Sequence, residues 1–302
     1  MEISNDAGLS GLLVSSEEEK LCTGFGFTEG PVWVAADDCL LFSDIPGNRI
    51  HRWRPGTDMA EVYRDPSGFS NGLTIDAAGN LVACEHGGRR ISRGAYNAAG
   101  GDVARRFDGK SLNSPNDLVI ASDGTIYFTD PTYGIPRPGG TVMGDPDAVQ
   151  ELDNQGVYRV TPDGSLSLVV DGFAQPNGLA FNPDGSVLYI GDSQDSIIRR
   201  YDVAADGSLS GGELFVDMSD DDRRGVPDGM KVDEDGRLWS TGAGGVWVVD
   251  ANGERLGVFE MEEHAANLAF GGADYSTLFL TAQTSVYRVE TSVRGIAPRS
   301  RG

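Results

Sequence analysis

Cysteine is scarce in this chain of 302 residues: three are present, Cys22, Cys39 and Cys84, at no spacing typical of a metal site. An odd, small number argues against a disulfide framework and fits a reducing compartment. The N-terminal 20 residues lack the basic segment and apolar run of a signal peptide. No stretch approaches the ~20 apolar residues of a membrane span. We therefore expect a soluble cytoplasmic protein.

Basic residues are also few, because 24 Lys and Arg stand against 46 Asp and Glu, giving a net charge of −22. Long-range repulsion makes so acidic a chain a poor ligand for phosphate backbones or anionic membranes. We expect neither a nucleic-acid partner nor a membrane partner. The excess of carboxylates mainly favours solubility, and a few of them remain available to bind a cation.

Glycine, by contrast, is abundant at 42 residues, about twice its average use, and indicates many tight turns. A short segment that opens on a polar residue and continues into apolar residues recurs six times. The copies are EGPVWV from Glu29, NGLTID from Asn71, NDLVIA from Asn116, NGLAFN from Asn177, DGMKVD from Asp228 and NLAFGG from Asn267. We call these first residues the heads.

Each copy continues into further apolar segments separated by turn sequences such as SDGT and PDGS. These segments are rich in Val, Ile, Tyr and Trp, as half-buried strands are. Subtracting the head positions gives spacings of 42, 45, 61, 51 and 39 residues, close to the ~40–50 residues of a propeller blade. The sequence thus predicts an all-β, six-bladed β-propeller formed by residues 1–302 as a single domain.

Three segments lie outside the repeat pattern. Residues 1–20 and 291–302 are expected to be extensions, and the strand that closes the ring is not evident. Residues 131–155 are rich in Pro and Gly and account for the longest spacing. They are interpreted either as a lid or rim loop over the channel mouth or as an ordinary tolerated surface insertion.

Equivalent positions in six blades surround one axis, so the heads are expected to converge on the channel. Buried carboxylates are unfavourable unless they are paired or bind a metal, and few Lys or Arg adjoin the heads. Two carboxylates with several amide oxygens make a hard site that suits Ca²⁺, Mg²⁺ or Mn²⁺, with Zn²⁺ and Fe²⁺ as alternatives. We predict one divalent ion, Ca²⁺ in the first place, at a central metal site.

The motifs EGPVW, SPNDLV, YFTDPTYG, PNGLAF, DGMKVD and NLAFGG, from about Glu29 to Gly272, resemble the SMP-30/gluconolactonase/LRE-like family of six-bladed propellers. The resemblance implies that Glu29, Asn177 and Asp228 bind the metal and that Asn116 contacts substrate or metal. It also implies hydrolysis of sugar-acid lactones, with organophosphate hydrolysis in one related branch. Animal members carry Arg two residues before the third head, whereas this chain has Ser114.

We expect the substrate to be a small sugar lactone, with Asp228 as the general base, although a purely metal-binding role for Asp228 stays open. Asn71, Asn116 and Asn267 are predicted to bind substrate hydroxyl groups. Asp117 and Asp130 are predicted to hydrogen-bond to the residues that bind the metal or substrate and so to orient them. For Asp130, capping of the turn into Pro131 is an equal alternative.

Other side chains receive less specific predictions. Tyr133 and Arg137, on the insertion, are substrate contacts or bystanders. His51, His86 and His264 are expected to be structural or solvent-facing, with a position near the channel mouth as the alternative for His86 and His264. Two further functions stay open: a phosphotriesterase-like hydrolase and a non-catalytic propeller that binds calcium or another ligand.

Overall fold

The computed structural model describes residues 1–96, 98–138, 140–141 and 143–297. Two strands precede the first repeat copy. They are β1 (Glu2–Ser4) and β2 (Glu19–Thr23), and a 3-10 helix at Leu9–Leu12 lies between them.

The repeat copies then form strands, as their β-branched and aromatic residues favour. Only one further 3-10 turn, Ala35–Asp37, interrupts the strands among the described residues. In chain order the strands are β3 (Thr28–Val34), β4 (Cys39–Asp44), β5 (Arg49–Trp53), β6 (Ala60–Arg64), β7 (Ser70–Ile75), β8 (Asn80–Glu85), β9 (Arg90–Ala95), β10 (Gly101–Ala104), β11 (Arg106–Phe107), β12 (Lys110–Ser111), β13 (Leu118–Ile120), β14 (Ile126–Asp130), β15 (Gln155–Val160), β16 (Leu166–Phe173), β17 (Pro176–Phe181), β18 (Val187–Asp192), β19 (Ile197–Val203), β20 (Leu209–Asp217), β21 (Met230–Val232), β22 (Leu238–Gly242), β23 (Gly245–Val249), β24 (Arg255–Glu260), β25 (Ala265–Gly271), β26 (Thr277–Ala282) and β27 (Ser285–Glu290).

These strands build six antiparallel sheets, and the predicted six-bladed propeller is confirmed. Blades one to five are β3–β6, β7–β10, β13–β16, β17–β20 and β21–β24, while β25–β27 belong to the sixth. Strands β11 and β12 form a separate two-stranded hairpin between blades two and three.

The N-terminal segment completes the ring. Strand β2 pairs with β27, so the sixth blade has the order β2-β27-β26-β25. Strand β1 adds a fifth strand to blade five beside β24. In the expected C-terminal extension, Thr291 bridges to Leu13 and Gly295 to Asp233. Residues 298–302 of that extension lie outside the described residues.

The core is divided among the blade interfaces. Among the described residues, each pair of neighbouring blades shares one apolar cluster, which gives six clusters around the ring. Between blades one and six, Trp33 and Phe279 stack with ring centroids 5.2 Å apart. Burial of such side chains supplies the main stabilisation of the ring and holds the inner strands at fixed positions.

The inner strands β3, β7, β13, β17, β21 and β25 line the channel, with the heads at one end. Strand β14 runs antiparallel to β13 and therefore ends at the head end. Residues 131–154, which join β14 to β15, start from this end; positions 139 and 142 are outside the described residues. Within the described ranges, no helix has the length and apolar character needed to span a membrane.

Candidate metal centre

The heads follow one another around the channel through backbone hydrogen bonds. In blades two and four, the residue after the head donates its N–H to the carbonyl oxygen of the next head. Gly72 N–H reaches Asn116 O at 2.8 Å, and Gly178 N–H reaches Asp228 O at 3.1 Å. The side chains of Glu29, Asn71, Asn116 and Asn177 are each at most 4% exposed, whereas Asp228 is only half-buried. The backbone therefore places the heads of blades two and three next to each other, and likewise those of blades four and five.

The sixth head was predicted one residue too late. Gly229 N–H donates to Ala266 O at 2.8 Å, so Ala266 occupies the place that Asn177 and Asp228 hold in their blades. The strand register agrees. In blade four, the residue before the head, Pro176, pairs with the last residue of the second strand, Asp192. In blade six, Ala265 pairs with the last residue of the second strand, Ala282, so the residue in the head position is Ala266. Asn267 therefore lies one position further along the channel than the heads. Its polarity made it resemble a head in the sequence.

Three carboxyl groups lie close enough to affect one another: those of the heads Glu29 and Asp228 and that of Asp117, which follows the third head. Burial raises the pKa of Glu29, and the neighbouring charge of Asp117 raises it further. Burial also raises the pKa of Asp117. The pKa of Asp228 is raised well above its ordinary value, first by burial and then by the charges of Glu29 and Asp117. Lys231 is the positive side chain that acts on both Glu29 and Asp117.

The side-chain amides of two heads, Asn71 and Asn177, have an oxygen that accepts no hydrogen bond from the described residues. The Asn177 Nδ2 donates to Ser193 Oγ at 2.9 Å, and Asn177 Oδ1 is buried without a hydrogen-bond partner among the described residues. The Asn71 Nδ2 is 3.2 Å from His86 Nε2, and Asn71 Oδ1 is likewise buried, with no partner in the described part of the chain. Buried polar atoms in folded proteins are almost always satisfied, so an unpartnered amide oxygen in a channel indicates a ligand.

The chemistry of these groups fits a divalent cation. Glu29 and Asp228 repel each other, Asn177 lies beside Asp228, and its Oδ1 lacks a donor. A cation would offset the repulsion and accept the lone pairs of all three residues. No group of three or more His, Cys, Asp or Glu with metal-binding geometry occurs in the described part of the chain.

Asn267 and Asp117 form a polar layer beneath the heads. Asn267 Nδ2 donates to Glu29 Oε2 at 2.9 Å and lies 3.5 Å from Asp117 Oδ2. Asn267 Oδ1 accepts the N–H of Leu268 at 2.8 Å. Both ends of this amide are thus bonded within the protein, and Asn267 holds Glu29 in place instead of presenting free groups to a substrate.

Asp130 lies away from this group. Its Oδ2 accepts the N–H of Asn113 at 2.8 Å, while its Oδ1 is buried and finds no partner among residues 1–96, 98–138, 140–141 and 143–297. Burial raises the pKa of Asp130 to about 7, and the backbone hydrogen bonds of Asn113 and Ser114 oppose the shift. Asp130 therefore holds the segment that leads to the third head.

The raised pKa of Asp130 predicts a pH-dependent stability. Between pH of about 4 and about 7 the folded state keeps a proton that the unfolded state has lost, so stability falls as pH rises. In urea unfolding with chelator, the stability of the parent relative to Asp130→Asn should drop by roughly 2–4 kcal/mol across this window. A difference that stays flat with pH would contradict the assignment.

The insertion brings Tyr133 to the heads. The Tyr133 side chain lies close to Ser193 and Asn177, and burial together with the charge of Asp228 raises its pKa to about 12. Ser114 anchors this part of the loop: its Oγ donates to Pro131 O at 2.6 Å and accepts Gly134 N–H at 2.9 Å. Arg137 instead donates to Thr132 Oγ1 at 3.0 Å. Of the two insertion residues, Tyr133 is thus the one placed at the site.

A serine nucleophile is not supported by the geometry. Residues 68–72 read GFSNG and match the G-x-S-x-G pattern of esterases. Ser70, however, lies in strand β7 instead of on a strand-to-helix turn. Its buried hydroxyl is 2.9 Å from Ser43 Oγ, and the nearby ring of His86 contacts Asn71 instead.

A cavity also lies at the opposite end of the channel. It has a volume of about 500 Å³ and is lined by the inner strands beyond the heads, including Leu73, Leu118, Phe181 and Lys231. Its walls are mostly apolar and lack the carboxylate and amide cluster. The chemistry of the heads is therefore confined to the other mouth.

Comparison with known proteins gives consistent matches. Residues 27–284 match the model of the SMP-30/gluconolactonase/LRE-like region. A gluconolactonase of Zymomonas mobilis is 32% identical over 93% of this chain and 83% of that protein. The pentonolactonase XacC of Haloferax volcanii is 31% identical over 84% of this chain and 80% of that protein. The solved structure of the gluconolactonase XC5397 from Xanthomonas campestris superposes with a TM-score of 0.87 at 36% identity, covering 96% of this chain and 94% of that one.

Proposed function

Because the chain belongs to the SMP-30/gluconolactonase/LRE-like family, we propose that it is a metal-dependent lactonase that opens the ring of a sugar-acid lactone. Gluconolactonase and pentonolactonase relatives support the reaction class. The observation that carries the proposal is the cluster of Glu29, Asp228 and the unpartnered Asn177 oxygen at the channel mouth.

Glu29, Asn177 and Asp228 would hold the cation. Their donor set consists only of oxygen, the kind that Ca²⁺, Mg²⁺ and Mn²⁺ prefer. We propose Ca²⁺, with the other divalent ions as competitors in the assay below. When bound, such an ion polarises a carbonyl group and lowers the pKa of water.

Asp228 is proposed to act as general base. It is the half-buried carboxyl among the acidic heads, so water can reach it from the channel mouth. Its carboxylate takes a proton from the water whose oxygen attacks the lactone carbonyl carbon. The ring C–O bond then breaks, and the same proton passes to the departing ring oxygen, which leaves an open hydroxy acid.

Neighbouring residues hold this arrangement. Asn267 fixes Glu29 through the 2.9 Å hydrogen bond, and Ser193 fixes the Asn177 amide. Asn71 and Asn116 are proposed to bind hydroxyl groups of the substrate, and Tyr133 lies where it can contact the reacting end. Buried, pre-oriented dipoles of this kind stabilise developing charge without reorganisation.

Metal removal tests the proposal. Chelated protein should open gluconolactone-type substrates at less than about 1% of the loaded rate, and restoring single metals should recover activity. A pH indicator follows the acid released, and a fluorophosphate in the same assay tests organophosphate hydrolysis. Full activity after complete chelation would contradict the proposal, and metal binding with no turnover would favour the non-catalytic alternative.

Metal binding should also stabilise the fold. An ion at about 100 times its dissociation constant stabilises the native state by about 2.7 kcal/mol, so the melting temperature should rise on loading. Asp163→Asn, in an exposed turn, should keep this rise and serves as a control. A melting temperature that does not change when metal is added would argue against a metal site in the folded protein.

We propose the cellular location and the binding partner of the protein from its cysteines and net charge. Cys22, Cys39 and Cys84 are buried and unpaired, which supports a cytoplasmic location. The partner is a small sugar lactone, and the net charge of −22 disfavours nucleic acid and anionic membranes.

A further inference from the structure

His86 is fully buried beside the second head. Its Nδ1 lies 3.0 Å from the carbonyl oxygen of Met143, in the insertion. A carbonyl oxygen only accepts hydrogen bonds, so Nδ1 carries the hydrogen. Burial lowers the pKa of His86 to about 4, and the ring is neutral at physiological pH. Its tautomer is thus fixed by the loop.

The tautomer of His86 sets the orientation of Asn71. In a neutral ring protonated at Nδ1, Nε2 accepts a hydrogen bond. The atom 3.2 Å from Nε2 is therefore the Nδ2 donor of Asn71, and the Asn71 oxygen is turned the other way. That oxygen is buried and has no partner within the ranges that the structure describes. The imidazole thus determines which end of the amide remains unpartnered.

Ser193 occupies the same position in blade four. His86 and Ser193 each follow the end of the second strand of their blade, and their N–H groups donate to Phe69 O at 3.0 Å and Gln175 O at 3.1 Å. The Ser193 hydroxyl donates to Pro227 O at 2.7 Å and so accepts from Asn177 Nδ2. Blades two and four thus use different side chains, His86 and Ser193, to bind the amide nitrogen of a head asparagine while its oxygen stays without a partner among the described residues.

We propose that His86 is a positioning residue that holds Asn71 Oδ1 as an acceptor for a hydroxyl group of the substrate. The inference rests on the proposed lactonase function. We infer that His86 and Asn71 together make the enzyme prefer lactones that carry a hydroxyl group. A site that accepts a hydroxyl hydrogen bond rejects an analogue without that hydroxyl, because the buried acceptor is left unpaired.

The close packing of the loop adds rigidity to this pair. A Cβ atom on Gly134 would lie 2.7 Å from the Cβ of His86 and 2.8 Å from the Cβ of Ser114. The glycine lets residues 131–134 lie directly against the imidazole. His86 is thus held from the loop side by Met143 and Gly134 and from the head side by Asn71.

Two substitutions separate the two hydrogen bonds of His86. His86→Gln places an amide oxygen near the Nε2 position and can still accept from Asn71. His86→Asn reaches only the Nδ1 position and can still donate to Met143. For glucono-δ-lactone, kcat/KM should fall about 10- to 100-fold in His86→Asn and about 3-fold or less in His86→Gln. For δ-valerolactone, which has no hydroxyl groups, both should stay within about 3-fold.

The state of the ring is measured separately by ¹⁵N NMR on the calcium-loaded protein. The chain has three histidines, so the loss of one signal set in His86→Gln assigns His86. We expect a neutral ring protonated at Nδ1 at pH 7. Protonation at Nε2 overturns the inference whatever the kinetics show.

The kinetic outcomes distinguish this inference from the proposed function. Equal losses in His86→Asn and His86→Gln, or parallel losses on both lactones, overturn the role of His86 while the lactonase proposal stands. If the parent opens neither lactone with any divalent metal, the proposed function fails and the substrate role of Asn71 fails with it.

Discussion

Asp228→Asn is expected to abolish most lactone hydrolysis, with kcat/KM lower by about 10³-fold or more, because the variant loses both a ligand and the proposed base. The fold should survive. The substitution removes a half-buried carboxyl group that is repelled by the charges of Glu29 and Asp117, so chelated Asp228→Asn should melt above the chelated parent. Steady-state kinetics and thermal unfolding with and without metal measure both effects.

Glu29→Gln separates the two roles of Asp228. Glu29 is proposed only as a ligand, so high metal concentrations should restore much of the activity of Glu29→Gln. If Asp228 is also the base, saturating metal should leave Asp228→Asn inactive. Equal recovery of the two variants would reduce Asp228 to a ligand, and parental rates in both would refute the assignment of the site.

Gly178→Ala is expected to have the second large effect. A Cβ atom at this position would lie 2.0 Å from the carbonyl oxygen of Asp228, so two neighbouring heads must separate. We expect a loss of about 3 kcal/mol or more of stability, at the upper end of overpacking effects, and a metal affinity at least about tenfold lower. Chemical unfolding and calorimetric metal titration measure the two quantities.

Gly172→Ala is the matched control for this substitution. Gly172 lies in strand β16 of the preceding blade, and an added Cβ would meet nothing within 4 Å. Its stability should change by less than about 1 kcal/mol, with metal affinity unaltered. Similar behaviour of the two variants would show that close approach of the heads does not hold the site together.

The repeat pattern was sufficient to predict the blades, because every copy must bury the same apolar strand faces against its neighbours. It could not show how the ring closes. Strand β2 is a short, half-exposed segment, and only its pairing with β27 identifies it as part of the sixth blade.

The head positions were predictable where a polar residue stands in register. Ala266 broke this rule, since an apolar residue gives no signal and Asn267 beside it gives a false one. Only the backbone contacts of Gly229 and the pairing of Ala265 resolve the one-residue difference. The predicted substrate role of Asn267 rested on that offset.

His86 and Ser193 were not assigned functions from the sequence. Their position in the repeat is the feature that could have identified them. Each follows directly after the second strand of a blade and so lies opposite a head. The repeat alignment contains that offset, but the partner of each side chain depends on rotamers and on the path of the loop at Met143. For Tyr133 the sequence left two interpretations open, substrate contact or bystander, because the path of an insertion is not encoded in the repeat.

Diffraction from crystals grown with Mn²⁺ or Ca²⁺ tests the central claim most directly. We expect one anomalous peak at the channel mouth, with oxygen atoms of Glu29, Asn177 and Asp228 at about 2.1–2.6 Å from it. A saturated crystal without a peak there, or with the three side chains directed to separate partners, would contradict the account.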